Sequence, residues 1–338
     1  MPHSASALKI AFLIQGHTAP STRVRILNLL PFLHAAGFQT TEDGYPNSFR
    51  EWRSVAPNVA AAEIVVIQKR LPSLLEGFLL KLRSRRLVFD FDDSVWLRNR
   101  EGDATPSNKL KRRFAHFMNR VNLAICGNPI LEKHLRETCS ETPSMVIPSA
   151  VPSPGSNFGK RINSPLHVGW VGTAINLPYL VAIERALIEA HGRVPFELVV
   201  LCSAAPPFRE FRHFEFIPWS AEREYDHIGN FDVGIMPLAD NEHSRGKCAY
   251  KALQYMRCGV PVVASDVGIN REWIEKPGAG IVIAEDGWVE ALVALLANAE
   301  TRARMGKCGL DAIRGGFRQE DAAGQYIRAF RGLLAENR

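Results

Sequence analysis

Hydrophobic and polar positions alternate between two rhythms along the chain. Short apolar runs, four to eight residues long, are separated by segments whose apolar residues recur at spacings of three and four. The first kind reads as buried strand and the second as amphipathic helix, and their alternation is the signature of parallel sheets built from βαβ units. In the first half, strands are predicted at "KIAFLIQG", "AEIVVIQ", "RLVFDFDD", "LAICGN" and "SMVIPSAV". A helix is predicted over "RVRILNLLPFLHAAG", stopped by Gly37. The stretch "PSAVPSPGSNFGKRINSP" shifts to Pro, Ser, Gly and Asn, a linker composition. The second half restarts with strand "LHVGWVG", helix "LPYLVAIERALIEAHG", strands "FELVVLC" and "HFEFIPW", a short helix near "AEREYDHIG" and strand "FDVGIMPL". The last helix, "QEDAAGQYIRAFRGLLAE", is amphipathic and is expected to pack back on the first domain.

These elements predict an α/β chain of two Rossmann-like domains, residues 1–158 and 159–320, with 321–338 as the returning helix. A length of 338 residues suits two domains, and 46% hydrophobic with 22% charged residues is an ordinary globular composition. No apolar run approaches the roughly 18 residues of a membrane span. The N-terminal run lacks a basic flank and a cleavage site, so it reads as a first strand, and a cytoplasmic protein is expected. Six scattered cysteines show no C-x-x-C and no zinc spacing.

The net charge of +6 hides an asymmetry. Residues 1–160 hold 21 Lys/Arg against 13 Asp/Glu, whereas 161–338 hold 20 against 22. The basic clusters "KLRSRR" and "KLKRR" suit either a solvated helix face or an anionic membrane surface, the latter making the protein peripheral on the inner face of the membrane. Nucleic acid is not expected, because the aromatic interleaving of a stacking platform is missing.

In paired α/β domains, ligands gather beyond the carboxyl ends of the strands. After the first strand, "GHTAPSTRVRI" offers Gly16 in a loop, with Arg23 and Arg25 at the start of a helix, an arrangement suited to an anion. After the third predicted strand, "DFDDSVW" places Asp90, Asp92 and Asp93 where carboxylates could cap a segment, act as a base, hold sugar hydroxyls or bind a cation. "GWVGTAINLPYL" gives a close-approach loop at Gly169 and Gly172, but neither the dinucleotide fingerprint nor the P-loop motif occurs. Trp219, just after a strand, offers an indole face to a base or to the core.

The segment "HSRGKCAYKALQYMRCGVPVVASDVG" carries the sharpest chemistry. Lys247, Lys251 and Gln254 are spaced by four and three, which puts them on one face if a single helix spans them, opposite Ala249, Ala252, Leu253 and Met256. Lysines in the first turns of a helix oppose its dipole, so an anionic ligand is the natural complement. After the following strand, the loop at Gly268 adds backbone amides, and Glu272 begins another helix. Two glycine loops and two lysines suit a diphosphate flanked by sugars.

At "KCAYKALQYMRCGVPVVASDVG" the chain resembles the donor-site segment of glycosyltransferase family 4. The motifs "STRVRILNLLPFLHAAGF", "VVIQKRL", "VFDFDDSVW", "GNPILEKHL", "VIPSAV", "GWVGT", "FDVGIMPL" and "RMGKCG" follow in the same order. The resemblance implies a GT-B fold, its two domains facing across a cleft, and a retaining transfer from a nucleotide-sugar. It implies donor binding by the C-terminal domain at Gly172, Thr173, Trp219, Gly246, Lys247, Lys251, Gln254 and Gly268, with Arg23 reaching in. It implies that the N-terminal domain, with Gly16, Arg25 and Asp90, binds a glycan, lipid-linked or other small acceptor. Lys247, Lys251, Asp92 and Asp93 become the catalytic candidates, and no cofactor or metal is expected beyond the donor itself. One departure stands out: the family's two glutamates, eight positions apart, correspond here to Gly246 and Gln254. A non-catalytic sugar-nucleotide-binding subunit and a sugar-nucleotide epimerase are the competing expectations.

Overall fold

A computed structural model describes residues 8–100, 103–155, 164–284 and 286–335. The chain divides into two compact units. The first comprises the residues up to Asn99, Ala104–Ala150 and everything from Gln319 onward, and the second Arg100–Asp103 with Val151–Arg318. The domain boundary expected at 158/159 falls outside the described residues, and the division itself comes at Ala150.

The main sheet of the first unit is built from β1 (Leu8–Ile14), β2 (Phe38–Gly44), β3 (Ile64–Gln68), β4 (Leu87–Phe91), β5 (Leu123–Cys126) and β6 (Ser144–Val146). They form one parallel sheet in the order β2-β1-β3-β4-β5-β6. β3, β4 and β5 are buried at every position, as expected of parallel strands covered on both faces, and this is why they read as unbroken apolar runs. β2, "FQTTEDG", escaped the hydrophobic pattern because it is an edge strand, with only Phe38 buried. The expected helix over "RVRILNLLPFLHAAG" is broken into a helix Pro20–Arg25, a 3-10 turn Leu27–Leu29 and a helix Leu30–Ala35. Gly37, at φ +91°, follows as anticipated. A two-stranded ribbon, Leu97–Arg100 with Asp103–Pro106, was not read from the sequence.

The C-terminal helix Gln319–Ala335 completes this unit. Ala322, Ala323, Tyr326, Phe330 and Leu333 share one helix face and join the core formed by Ile10, Phe12, Leu29 and Phe38. Phe330 meets Phe38 edge to face, with ring centroids 6.1 Å apart. Burying such a face stabilises the unit by roughly 25 cal/mol per Å² of apolar surface removed from water.

The second unit repeats the architecture: β7 (Leu166–Val171), β8 (Phe196–Cys202), β9 (Phe214–Pro218), β10 (Val233–Met236), β11 (Val262–Ser265) and β12 (Gly280–Ile283). They lie parallel in the order β9-β8-β7-β10-β11-β12. This is the doubly wound order, whose direction of winding reverses between β7 and β10. The expected helix over "LPYLVAIERALIEAHG" is two, Leu177–Val181 and Glu184–Arg193. The helix expected from Glu272 is a single π turn, Arg271–Glu275.

Candidate functional site

In the second unit, the crevice beyond β7 and β10 is held by Tyr255. Its hydroxyl accepts from the Val171 amide at 3.0 Å and donates to the Ile235 carbonyl at 3.1 Å, tying the two strand ends together. Gly234 permits this, since a Cβ there would lie 2.5 Å from the tyrosine ring. Tyr255 belongs to the helix Tyr250–Arg257, and Lys251 stands one turn before it, so the clamp that fixes the helix also aims the lysine at the loop after β7.

There the Lys251 ammonium lies 4.1 Å from the centroid of the buried Trp170 ring, a cation–π arrangement. A Cβ on Gly172 would come within 2.6 Å of that ammonium and 2.5 Å of the Trp170 ring, so only glycine leaves the lysine its place. Burial pushes the Lys251 pKa down to about 7; the neighbouring Lys247 charge adds to this and Cys202 opposes it. Lys251 forms no ion pair among the described residues.

Lys247 reaches the same place by another route than the one its spacing suggested. It precedes the helix, in a non-helical stretch that ends with Ala249 at φ +46°. Its ammonium donates to Asn176 Oδ1 at 3.2 Å and faces the Tyr179 ring at 5.7 Å, and Asn176 Nδ2 donates to Thr173 Oγ1 at 2.8 Å. The loop after β7 is thus the meeting point of Gly172, Thr173, Lys247 and Lys251. Gln254 is buried farther along the helix. Gly268, at φ +61°, packs on the Arg245 carbonyl, where a Cβ would sit at 2.6 Å; Gly246 directly follows Arg245, so these two glycines are neighbours. Trp219 follows the edge strand β9 and is 38% exposed, with its Nε1 donating to the buried Glu224 at 2.9 Å.

The strand ends of the first unit are arranged differently. Arg23 and Arg25 occupy the last turn of their six-residue helix, not its start, which removes the helix-N-terminus argument for an anion. Arg25 is enclosed and forks onto Asp90, Nε to Oδ1 at 2.7 Å and Nη2 to Oδ2 at 2.8 Å. It also donates to the Ile147 carbonyl at 2.9 Å and to Tyr326 Oη at 2.9 Å, and the Tyr326 hydroxyl donates to Asp90. Arg25 and Asp90 therefore cannot touch an acceptor, and the assignment of both as acceptor-binding residues is corrected to a structural one. They pin the C-terminal helix to β4.

Asp92 and Asp93, just past β4, remain partly exposed and pair with Lys69 at 3.3 and 3.0 Å. Lys69 follows β3 at φ +59°, and although burial opposes its charge, the two carboxylates hold its pKa above the usual lysine range. Gly16 sits in the loop after β1, at φ +151°. Among the described residues no group of three His, Cys, Asp or Glu side chains converges on a metal position.

Sequence reasoning missed Trp170, Asn176, Tyr179, Tyr255 and Lys69. The first three lie in "GWVGTAINLPYL" and Lys69 in "VVIQKRL", segments already marked by position after a strand. Tyr255 carried no signal, because its hydroxyl works only once β7 and β10 are side by side.

Residues 166–298 match the family of glycosyl transferases group 1. None of the curated proteins matches the chain. Among solved structures, sucrose-phosphate synthase from Thermosynechococcus elongatus is similar at 15% identity and a TM-score of 0.73, over 98% of this chain and 100% of that one. A glycosyltransferase from Rickettsia africae is similar at 10% identity and 0.71, over 98% and 100%. HepE of Anabaena, in complex with UDP, is similar at 13% identity and 0.71, over 96% and 100%. The two parallel six-stranded units are those of the GT-B fold, and the segment that matches the group 1 glycosyl transferases lies in the second unit.

Proposed function

We propose that the protein is a glycosyltransferase that moves a sugar from a nucleotide-sugar to an acceptor hydroxyl, with retention of configuration as in family 4. The observation that carries this reading is Lys251, a cation held over Trp170 with no carboxylate paired to it among the described residues, beside Lys247 and at the end of β7. A cation kept in so unfavourable a setting is matched by an anionic ligand, and the crevice at the strand reversal is where such a ligand sits in doubly wound sheets. A diphosphate there gains negative charge as the glycosidic bond breaks, and both ammonium groups then stabilise the leaving group, the work a metal does in other enzymes. HepE, a structural neighbour, holds UDP, which supports a nucleoside diphosphate here.

The amides near Gly172 and Gly268 would add donors, Gln254 would hold ribose hydroxyls, and the exposed face of Trp219 would stack on the base. In the first unit, Asp92 and Asp93, partly exposed and held by Lys69, would orient an acceptor hydroxyl. The acceptor is a glycan, a lipid-linked or another small hydroxyl compound, and the protein works in the cytoplasm, peripherally on an anionic membrane. No helix of the described residues is long and apolar enough to cross one. Gly246, with only a backbone where family members carry a glutamate, is the observation that favours a non-catalytic sugar-nucleotide-binding subunit as a second reading.

A thermal-shift panel of nucleoside diphosphates and nucleotide-sugars, with a chelator present, tests the proposal on wild type and Lys247→Ala. One nucleotide family should stabilise the wild type by about 2.7 kcal/mol at a hundredfold excess over its dissociation constant, and the variant far less. Failure of every nucleotide would overturn the donor site. Binding without sugar transfer or donor hydrolysis would favour the second reading.

A further inference from the structure

The helix Leu74–Arg83 is turned inside out relative to its neighbours. Leu74, Leu75, Phe78, Leu79 and Leu82 are all exposed, Leu75 at 67% and Leu82 at 72%, while only Gly77 and Leu80 face the core. Their spacing draws one apolar stripe along the outer face. Phe49, 80% exposed at the start of the helix Phe49–Ala61, extends it. Between the two helices opens a cavity of about 810 Å³, lined among others by Trp52, Leu75 and Leu79, with Arg53 and Arg83 also on its wall. An apolar surface of this extent marks a docking site.

The charges around it say what docks. The helix Asn108–Met118 packs alongside, with a Cβ on Gly77 placed 3.2 Å from Phe117 and His116 Nε2 lying 3.2 Å from the Leu74 carbonyl. That neighbouring helix exposes Lys109, Lys111 and Arg112, which form no ion pair among the described residues, nor do Arg53 and Arg83. In the first turns of the two stripe-bearing helices, the half-buried Glu76 accepts from the Ser73 amide at 2.7 Å and the exposed Glu51 from the Asn47 amide at 2.6 Å. An apolar stripe beside cations that form no ion pair among the described residues complements a bilayer with anionic headgroups and an apolar interior.

We propose that this face, the Leu74–Arg83 stripe with Phe49, is the part of the molecule that enters an anionic lipid surface, with Arg53, Arg83 and the cations of the Asn108–Met118 helix at headgroup level. The inference rests on the peripheral-membrane reading above and names the surface responsible. The test is flotation of the full chain with phosphatidylglycerol–phosphatidylcholine vesicles and with phosphatidylcholine alone, for wild type, Leu75→Ser/Phe78→Ser/Leu82→Ser and Lys109→Gln/Lys111→Gln/Arg112→Gln. Wild type should partition onto the anionic vesicles at least tenfold better than onto the neutral ones. The apolar variant should lose more than tenfold and the charge variant severalfold, with the nucleotide-induced thermal shift unchanged in both. If the apolar variant binds vesicles like wild type, the assignment of this face falls while membrane association stands. If wild type binds no vesicle, both fall; a wild-type dimer that the apolar variant converts to monomer would then identify a second copy as the occupant.

Discussion

At the strand ends of the first unit, cations meet carboxylates: Arg25 forks onto Asp90, and Lys69 bridges Asp92 and Asp93. At those of the second, Lys251 lies over an indole, and Lys247 donates to an amide oxygen and faces a phenol. In both units the groups lie near the carboxyl ends of parallel strands, and the consequence is opposite. A buried cation with a buried anion holds secondary structure in place; a half-buried cation with a neutral platform is left able to serve a ligand. Charge near the end of a parallel strand is therefore not by itself a sign of a binding site.

The largest effect that would test this contrast is Asp90→Asn, which leaves Arg25 enclosed with one carboxylate lost. The first unit should lose about 3–5 kcal/mol, read as a lower denaturant midpoint, while the donor-induced shift in the second unit survives. Lys251→Ala should do the reverse. Turnover should fall about 10²- to 10³-fold, comparable to loss of a preorganised donor to a developing oxyanion, with thermal stability unchanged or higher. A large loss of stability in this variant would show that Lys251 is structural after all.

Gly172→Ala sharpens the same point with a single methyl group. Placed 2.6 Å from the Lys251 ammonium, it should displace the amine and weaken nucleoside diphosphate binding by about tenfold, measured by calorimetry. The smallest effect is that of pH. In the free protein Lys251 loses its proton above about pH 7, whereas a bound diphosphate favours the charged form, so binding should take up a proton increasingly as pH rises beyond 7. Titration in buffers of different ionisation enthalpy measures that uptake, and Lys251→Ala should abolish it. Because the folded pKa lies below the usual 10.5, the unfolded chain binds more protons between the two values, and Lys251 should make unliganded stability rise with pH across that window.

The sequence by itself determined the strand-helix alternation, the two units, the returning C-terminal helix and the loops where ligand chemistry belongs. Those features are local or periodic: β3 and β4 are apolar throughout because both faces are covered, and the C-terminal helix shows its buried face at Ala322, Tyr326 and Phe330. β2 was hidden because an edge strand needs few apolar residues, and the spacing of Lys247 misled because Ala249, at φ +46°, breaks the helix that spacing assumes. Only the tertiary structure decided which charges are available. Asp90 and Asp92 are two residues apart in one motif, yet the first is sealed by Arg25 and Tyr326, which lie 65 and 236 positions away, and the second is not. Pairing, burial and the loss of solvent that sets a pKa are properties of side chains brought together from distant parts of the chain, and no spacing along it encodes them.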